Sequence, residues 1–377
     1  MIEPRKTGAQ QPAYALYLAV IPSYRRACVS ILRARLGHDL EMFASDAHLD
    51  VSVRTGIPED QYRRTGAHRL FGSRLLVQTG HWRRALGVRS LIIDLNPRSI
   101  TAWMLLITRR LLGRRVIVWG HLHPQAGGDT RLAVLRRTMR RLAHGTVLYG
   151  YDSVRPARAE LPSGPLWVAP NSLYQAADMR PASPPESPNL FLYVGRLEPD
   201  KDVGLLLDAF ADSDVWRGGF RLAIVGFGSQ ADQLKERARK LGISDHVDFL
   251  GRIEGPDALR GIYGRTLWSV SPGYVGLTLT QSLGFGVPIL IPSATRHSPE
   301  VELQRFGGVQ MFERGREGLA VALRQASNRR FSQENAAKLS HTVAQYYTAE
   351  AMAEGLMAAF EGRWQELGED GWGTISA

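Results

Sequence analysis

The chain has 377 residues, 44% hydrophobic and 22% charged, a globular composition long enough for two domains of roughly 150 to 200 residues each. Its one cysteine, Cys28, excludes an intrachain disulfide framework or a cysteine-built zinc site and favours a reducing, cytoplasmic compartment. The net charge of +11 is uneven: residues 1–180 carry 27 Lys+Arg against 12 Asp+Glu and the remainder 20 against 24, so the basic excess of the first half suits a surface facing phosphates as well as plain solubility.

Residues 1–12 are polar and contain proline, which is not the pattern of a secretory signal. Short apolar runs then alternate with longer amphipathic stretches, as in a parallel sheet flanked by crossover helices. Strands are predicted at 15–21, 39–43, 91–95, 116–119 and 146–148, and helices at 25–36, 99–112 and 131–144. The most apolar window, 100–119, is interrupted by Arg109, Arg110, Arg114 and Arg115, which a bilayer core does not accept without strong compensation. Residues 181–188 read PASPPESP, a run that continues neither a helix nor a central strand. The domain boundary is placed there, dividing the chain into 1–180, 181–345 and a terminal segment, 346–377, whose helix at 348–366 returns to the first domain. In the second half the alternation resumes at 190–194, 203–210, 221–225, 231–241, 246–250, 267–271, 277–285 and 288–291. The predicted fold class is α/β, two doubly wound Rossmann-like halves, with ligands beyond the carboxyl ends of the strands.

Three strand-to-helix junctions carry the chemistry. Gly195-Arg196 to Lys201 leads from a strand into a helix start near Asp202; the glycine permits close approach, helix amides are offered, and two cations neutralise an anion. Gly273-Tyr274-Val275-Gly276-Leu277-Thr278, followed by Thr280 and Gln281, presents successive backbone amides to a ligand, although a tight packing turn accounts for these glycines nearly as well. The sequence Trp119-Gly120-His121-Leu122-His123 opens from a strand end, where a histidine donates or accepts near neutral pH; His-x-His is also half a metal site, but no third ligand is identifiable. After the first strand, Tyr24 and Arg25 are placed to touch an acceptor or the diphosphate, while a helix cap by Ser23 followed by exposed arginines is the simpler account. Gly226-Phe227-Gly228 lacks the third glycine of a dinucleotide fingerprint and reads as turn packing, and Asp212-Ser213-Asp214 reads as a solvated loop.

The first two junctions, taken together, resemble the family-4 GT-B glycosyltransferases: Gly-Arg-Leu followed by Lys, then a glycine-rich loop closing in Gly-x-Pro at Gly286-Val287-Pro288, with Asn171 and Pro299-Glu300 matching flanking positions. The resemblance covers about 166–302. It implies a GT-B fold with the active site in the cleft between an acceptor domain and a donor domain, and sugar transfer from a nucleotide-diphosphate sugar with retention of configuration. It implies that Arg196 and Lys201 bind the donor diphosphate, Arg252 and Ile253 line the base pocket, and the amides of Val275, Gly276, Leu277 and Thr278 hold sugar and phosphate. His121 corresponds to the residue touching the transferred sugar. Gln281 stands where the family has the carboxylate that holds the ribose, and an amide side chain still serves two hydroxyls. Gly273 replaces the first carboxylate of the family's pair, which is read as a difference in donor specificity. No cofactor and no metal are expected.

The acceptor is expected to be a saccharide or a lipid-linked saccharide in glycan, exopolysaccharide or glycolipid assembly. The predicted helices at 99–112 and 131–144 set arginines beside apolar residues, which suits peripheral docking on an anionic membrane and equally suits crossover helices packed on a sheet. A non-catalytic GT-B scaffold, prompted by the two missing carboxylates, and a nucleotide-sugar epimerase are the rival readings. No basic-aromatic nucleic-acid module is recognisable.

Overall fold

A computed structural model describes residues 12–46, 48–49, 53–123, 131–182 and 188–373; residues 1–11 and 183–187, on which two of the sequence readings partly fall, lie outside it. The chain divides into two compact units, one formed by Met1–Pro170 with Ala349–Ala377 and the other by Asn171–Thr348.

In chain order the first unit contains β1 (Tyr14–Tyr17), α1 (Arg26–Leu36), β2 (Leu40–Ala44), β3 (Arg63–Arg64), β4 (Gly66–Leu70), β5 (Leu75–Thr79), α2 (Trp82–Gly87), β6 (Ser90–Asp94), α3 (Ile100–Leu111), β7 (Arg115–Gly120), α4 (Arg131–Leu142), β8 (Thr146–Leu148), α5 (Val154–Glu160) and β9 (Leu166–Val168). Among the described residues its main sheet has the order β3-β2-β1-β6-β7-β8-β9, with the paired strands parallel. Its strands are apolar on both faces because both are covered. One face packs Cys28, Val29 and Leu32 of α1; the other packs Ala85 of α2, Ala102, Leu105 and Leu106 of α3, and Met139 of α4. The first strand ends earlier than its apolar run: Leu18 still donates to Phe43, but the next amide, Ala19, turns to the Asp94 carboxylate. β4 and β5 form an antiparallel hairpin that the apolar pattern does not show.

The second unit contains β10 (Leu190–Val194), α6 (Val203–Ser213), β11 (Arg221–Val225), α7 (Ala231–Lys240), β12 (Val247–Gly251), α8 (Pro256–Tyr263), β13 (Thr266–Val270), α9 (Leu277–Gly284), β14 (Ile289–Pro292), β15 (Val309–Phe312), α10 (Arg316–Ser327) and α11 (Gln333–Tyr346). Its sheet order is β12-β11-β10-β13-β14-β15, and the pairings are parallel. The unit begins at Asn171, before the proline-rich run where the sequence sets a boundary. The intervening residues are bound to it: Arg260 donates to the Asp178 carbonyl at 2.9 Å and the Ala182 amide to Phe285 at 2.9 Å.

The last helix, α12 (Ala349–Glu361), supplies Met352, Leu356 and Phe360 to the core of the first unit. It packs so closely on β9 that a Cβ at Gly355 would overlap the Val168 carbonyl. Arg109, one of the charges that interrupt the apolar window, is fully buried and donates to the carbonyls of Ala85, Leu86, Val88, Arg89 and Arg115. Among the described residues no helix is long and apolar enough to cross a membrane.

Candidate active site

In the second unit β10 lies between β11 and β13, so the chain leaves it in one direction and returns on the other side. This is the switch point of a doubly wound sheet, where the loops at the carboxyl ends part and leave a crevice. The loop after β10 carries Gly195 and Arg196 and tightens into a 3-10 turn, Pro199–Lys201, before Asp202, in the left-handed conformation, opens α6. The Tyr193 hydroxyl donates to the Arg196 carbonyl at 2.7 Å and pins the start of that loop. The loop after β13 folds onto the same turn. A Cβ at Gly273 would lie 3.1 Å from the Asp200 carbonyl oxygen and 3.2 Å from the Lys201 carbonyl carbon, so a side chain there crowds the turn that carries the lysine.

The close approach gathers the charges. Arg196 and Lys201 reach the Asp200 carboxylate at 3.6 and 3.2 Å, and the Lys201 ammonium lies 5.3 Å from the Tyr274 ring centroid. Two cations sharing one anion leave a net positive cluster beside the amino end of α9, whose first amides have no partner inside the helix. Thr278 fastens that end, donating through its hydroxyl to the Val194 carbonyl at 3.2 Å.

The site residues predicted in this unit meet different surroundings. Val275 does not offer its amide to a ligand: the N–H donates to His297 Nδ1 at 3.2 Å, while His297 Nε2 lies 2.9 Å from the Pro292 carbonyl. These partners define a neutral imidazole with its proton on Nε2, and burial holds its pKa below the ordinary value. Gly276, Leu277 and Thr278 remain at the helix start. Gln281 is buried and donates from Nε2 to the Tyr263 hydroxyl at 3.3 Å. Arg252 follows β12, paired with Glu254 and stacked 4.8 Å from the Phe227 ring centroid; Ile253 packs against the core cluster that contains Leu259 and Phe285. Gly226 and Gly228 do serve close packing, since a Cβ on either would overlap the carbonyl of Gly195 or Leu197. The exposed Phe227 between them meets the Arg252 guanidinium, a contact that the sequence reading passed over. Asp212 ends α6 in a two-pronged bond with Arg316, not in a solvated loop.

The first unit has its own cluster at its own switch point, between β1 and β6. Asp94, at the end of β6, accepts from the Ala19 amide at 2.5 Å, and burial raises its pKa against the opposing pull of that amide, His48 and Arg25. Arg25 is the correction here. Ser23 makes no side-chain cap, and Arg25 is buried instead of exposed, its guanidinium 4.3 Å from the Trp119 ring centroid and donating to the Tyr149 hydroxyl at 2.8 Å. Tyr24 lies at the margin, with its ring 5.6 Å from the same guanidinium. His121 sits 4.7 Å from Tyr149, ring to ring. Although part of its surface is open to solvent, it is recessed among protein atoms. Burial, then the charges of Arg136 and Arg25, lower its pKa to about 4, so at neutral pH it works as a neutral hydrogen-bonding group. Arg136 steadies it by donating to the carbonyls of Leu95 at 3.0 Å and His121 at 2.7 Å. His123 turns away, 3.6 Å from Glu160.

Residues 175–344 match the family model described as glycosyl transferases group 1. The second unit is thus similar to that family over nearly its whole length. The chain is 32% identical over 116 residues to the lipopolysaccharide 1,6-galactosyltransferase of Salmonella typhimurium, covering 28% of this chain and 31% of that protein. It is 31% identical over 144 residues to a glycogen synthase of Mycobacterium tuberculosis, covering 37% and 34%. The matched segments thus span about a third of the length of these curated relatives. Among solved structures, Anabaena HepE in complex with UDP aligns at a TM-score of 0.64 with 12% identity, covering 93% of this chain and 100% of that one. The apo lipopolysaccharide outer core galactosyltransferase WaaB aligns at 0.62 with 15% identity, covering 93% and 99%. At such identities the likeness speaks for the fold alone, and it bears out the GT-B class read from the sequence.

Proposed function

We propose that the protein is a retaining glycosyltransferase that moves a sugar from a nucleotide-diphosphate sugar to a hydroxyl of a saccharide or lipid-linked saccharide, in the assembly of a glycan, exopolysaccharide or glycolipid. The observation that carries this reading is the seating of Gly273 against the Asp200-Lys201 backbone, which brings Arg196, Lys201 and the start of α9 to one switch point. A pyrophosphate bound there gains two charge-assisted contacts and a set of helix-terminal amides, and the negative charge that develops as the sugar departs is held by groups already in place. The helix terminus alone supplies only about 0.3–2 kcal/mol, so the two cations carry most of the attraction. Arg252, Phe227 and Ile253 take the base, His121 contacts the transferred sugar as a neutral group, and Tyr24, against the buried Arg25, contacts the acceptor. The acceptor's proton passes to the departing phosphate, so the reaction is written with no cofactor. A cytoplasmic setting and peripheral contact with an anionic membrane belong to the same reading.

Lys201→Ala is expected to lower turnover by at least a hundredfold, a loss of about 2.7 kcal/mol in transition-state stabilisation, with an unchanged thermal midpoint. Near-normal turnover by that variant removes the diphosphate assignment. The buried Gln281 and its bond to Tyr263 favour one second reading, a sugar-nucleotide-binding scaffold without activity. Nucleoside diphosphate binding with no transfer to any acceptor would select it.

A further inference from the structure

The first unit has a face that the fold does not use. α3 buries Leu105 and Leu106 against the sheet, yet its opposite side is apolar too: Ile100, Ile107 and Leu111 are 41%, 45% and 82% exposed. Their spacing of seven and four residues sets them in one stripe along the helix. An ordinary crossover helix turns a polar side to water. On α4, which covers the same sheet face, Val134 is 62% exposed, and the exposed Arg131, Arg137 and Arg141 lie one or two turns from it on the same side. The β4–β5 hairpin completes the face. Its tip carries Phe71, 75% exposed, and Arg98, just before α3, holds the tip by donating to the carbonyls of Ser73 at 2.6 Å and Arg74 at 2.8 Å. Phe71 and Ser73 have φ of +52° and +67° on either side of Gly72, a left-handed run that costs non-glycine residues free energy and here ends with an aromatic ring in solvent.

The segment that carries these apolar groups is strongly basic, although Arg63 and Arg84 pair with Glu41, Arg64 with Asp46, and Arg137 and Arg140 with Glu160. From Arg63 to Arg141 the sequence has 17 arginines and two acidic residues, Asp94 and Asp129, and Asp94 is withdrawn into the strand-end cluster. A second copy of the chain would bring this positive field against itself. A polynucleotide would satisfy the arginines and leave Phe71 and Leu111 in water. A bilayer rich in anionic phospholipid satisfies both, taking the apolar side chains below its headgroups and the arginines among its phosphates.

We propose that the hairpin tip and the outward sides of α3 and α4 form a docking surface for an anionic phospholipid bilayer, with Phe71 and Leu111 as the inserted side chains. The proposal locates the membrane contact included in the preceding reading, and its readout, vesicle binding, is separate from sugar transfer, so either fails without the other.

The test is flotation of the full chain with phosphatidylcholine vesicles, with and without phosphatidylglycerol, over a salt series. Binding is expected only with the anionic lipid and is expected to weaken with salt. Phe71→Ser combined with Leu111→Ser should lower the bound-to-free ratio by about tenfold or more, and Arg110→Gln combined with Arg141→Gln should flatten the dependence on phosphatidylglycerol and on salt. All four side chains are exposed, so the thermal midpoint is expected to stay put and mark the variants as folded. Equal binding to neutral vesicles, no vesicle binding, or variants that float like the parent overturn the proposal. So does a parent chain that binds polynucleotide or sediments as a dimer but ignores vesicles, since the face then belongs to that partner.

Discussion

Glu300 lies in the 3-10 turn Pro299–Phe306 after β14, buried, with one carboxyl oxygen lacking a partner among the described residues. Burial pushes its pKa up to about 7, against its own backbone amide and the Asn171 side chain, which favour the ionised form. The folded state therefore keeps a proton that the unfolded chain gives up. The stability that comes with it is fully present below the ordinary glutamate range and is lost as pH rises through about 7. Glu300→Gln keeps the shape and removes the charge, so its stability relative to the parent should grow by roughly 3 kcal/mol between pH 4 and 8, read from urea midpoints. A difference independent of pH speaks against a buried protonated acid. The sequence names Asn171 and Glu300 only as flanking matches; that they touch follows from how the unit closes. Arg25 teaches the same lesson, since its buried surroundings come from Trp119 and Tyr149, far along the chain and invisible to local pattern.

At the scale of elements, legibility followed periodicity. Most strands buried on both faces stand out, as do α1, α3, α4, α6, α7 and α9, and they lie within a few residues of their predicted spans. The longer α10 and α11 are absent from the predicted spans; many other elements that failed to show are short or mostly exposed: β9, α5, α2, α8 and β15, and the β4–β5 hairpin, whose first strand is almost wholly in solvent. Their residues carry little burial signal, and tertiary contacts decide their conformation. α12 was legible as a helix that returns to the first domain, but its close seat on β9 was not, because that depends on a missing side chain. Gly355→Ala places a methyl group on the Val168 carbonyl, so α12 must lift from β9. A destabilisation of about 1–3 kcal/mol is expected, despite alanine's higher helix propensity, and a neutral or stabilising change in denaturant unfolding would show that the helix is free to shift.

Each unit of the whole molecule has its own buried centre, so calorimetry is expected to resolve two transitions. A nucleoside diphosphate at about a hundredfold above its Kd should stabilise the second unit by about 2.7 kcal/mol and move that transition alone. A ligand that moves the first unit's transition instead contradicts the placing of the donor site.

The sequence by itself determined the α/β class and the two-part organisation, and it singled out the strand-to-helix junctions, because burial alternation and glycine-cation spacing are written in neighbouring residues. Only the tertiary structure decided that Val275 spends its amide on His297, that Gln281 turns to Tyr263, that Arg25 is buried and that the outer side of α3 is bare. Each of these depends on groups distant in the chain meeting in space, and a linear pattern holds no record of which partner a buried polar atom finds.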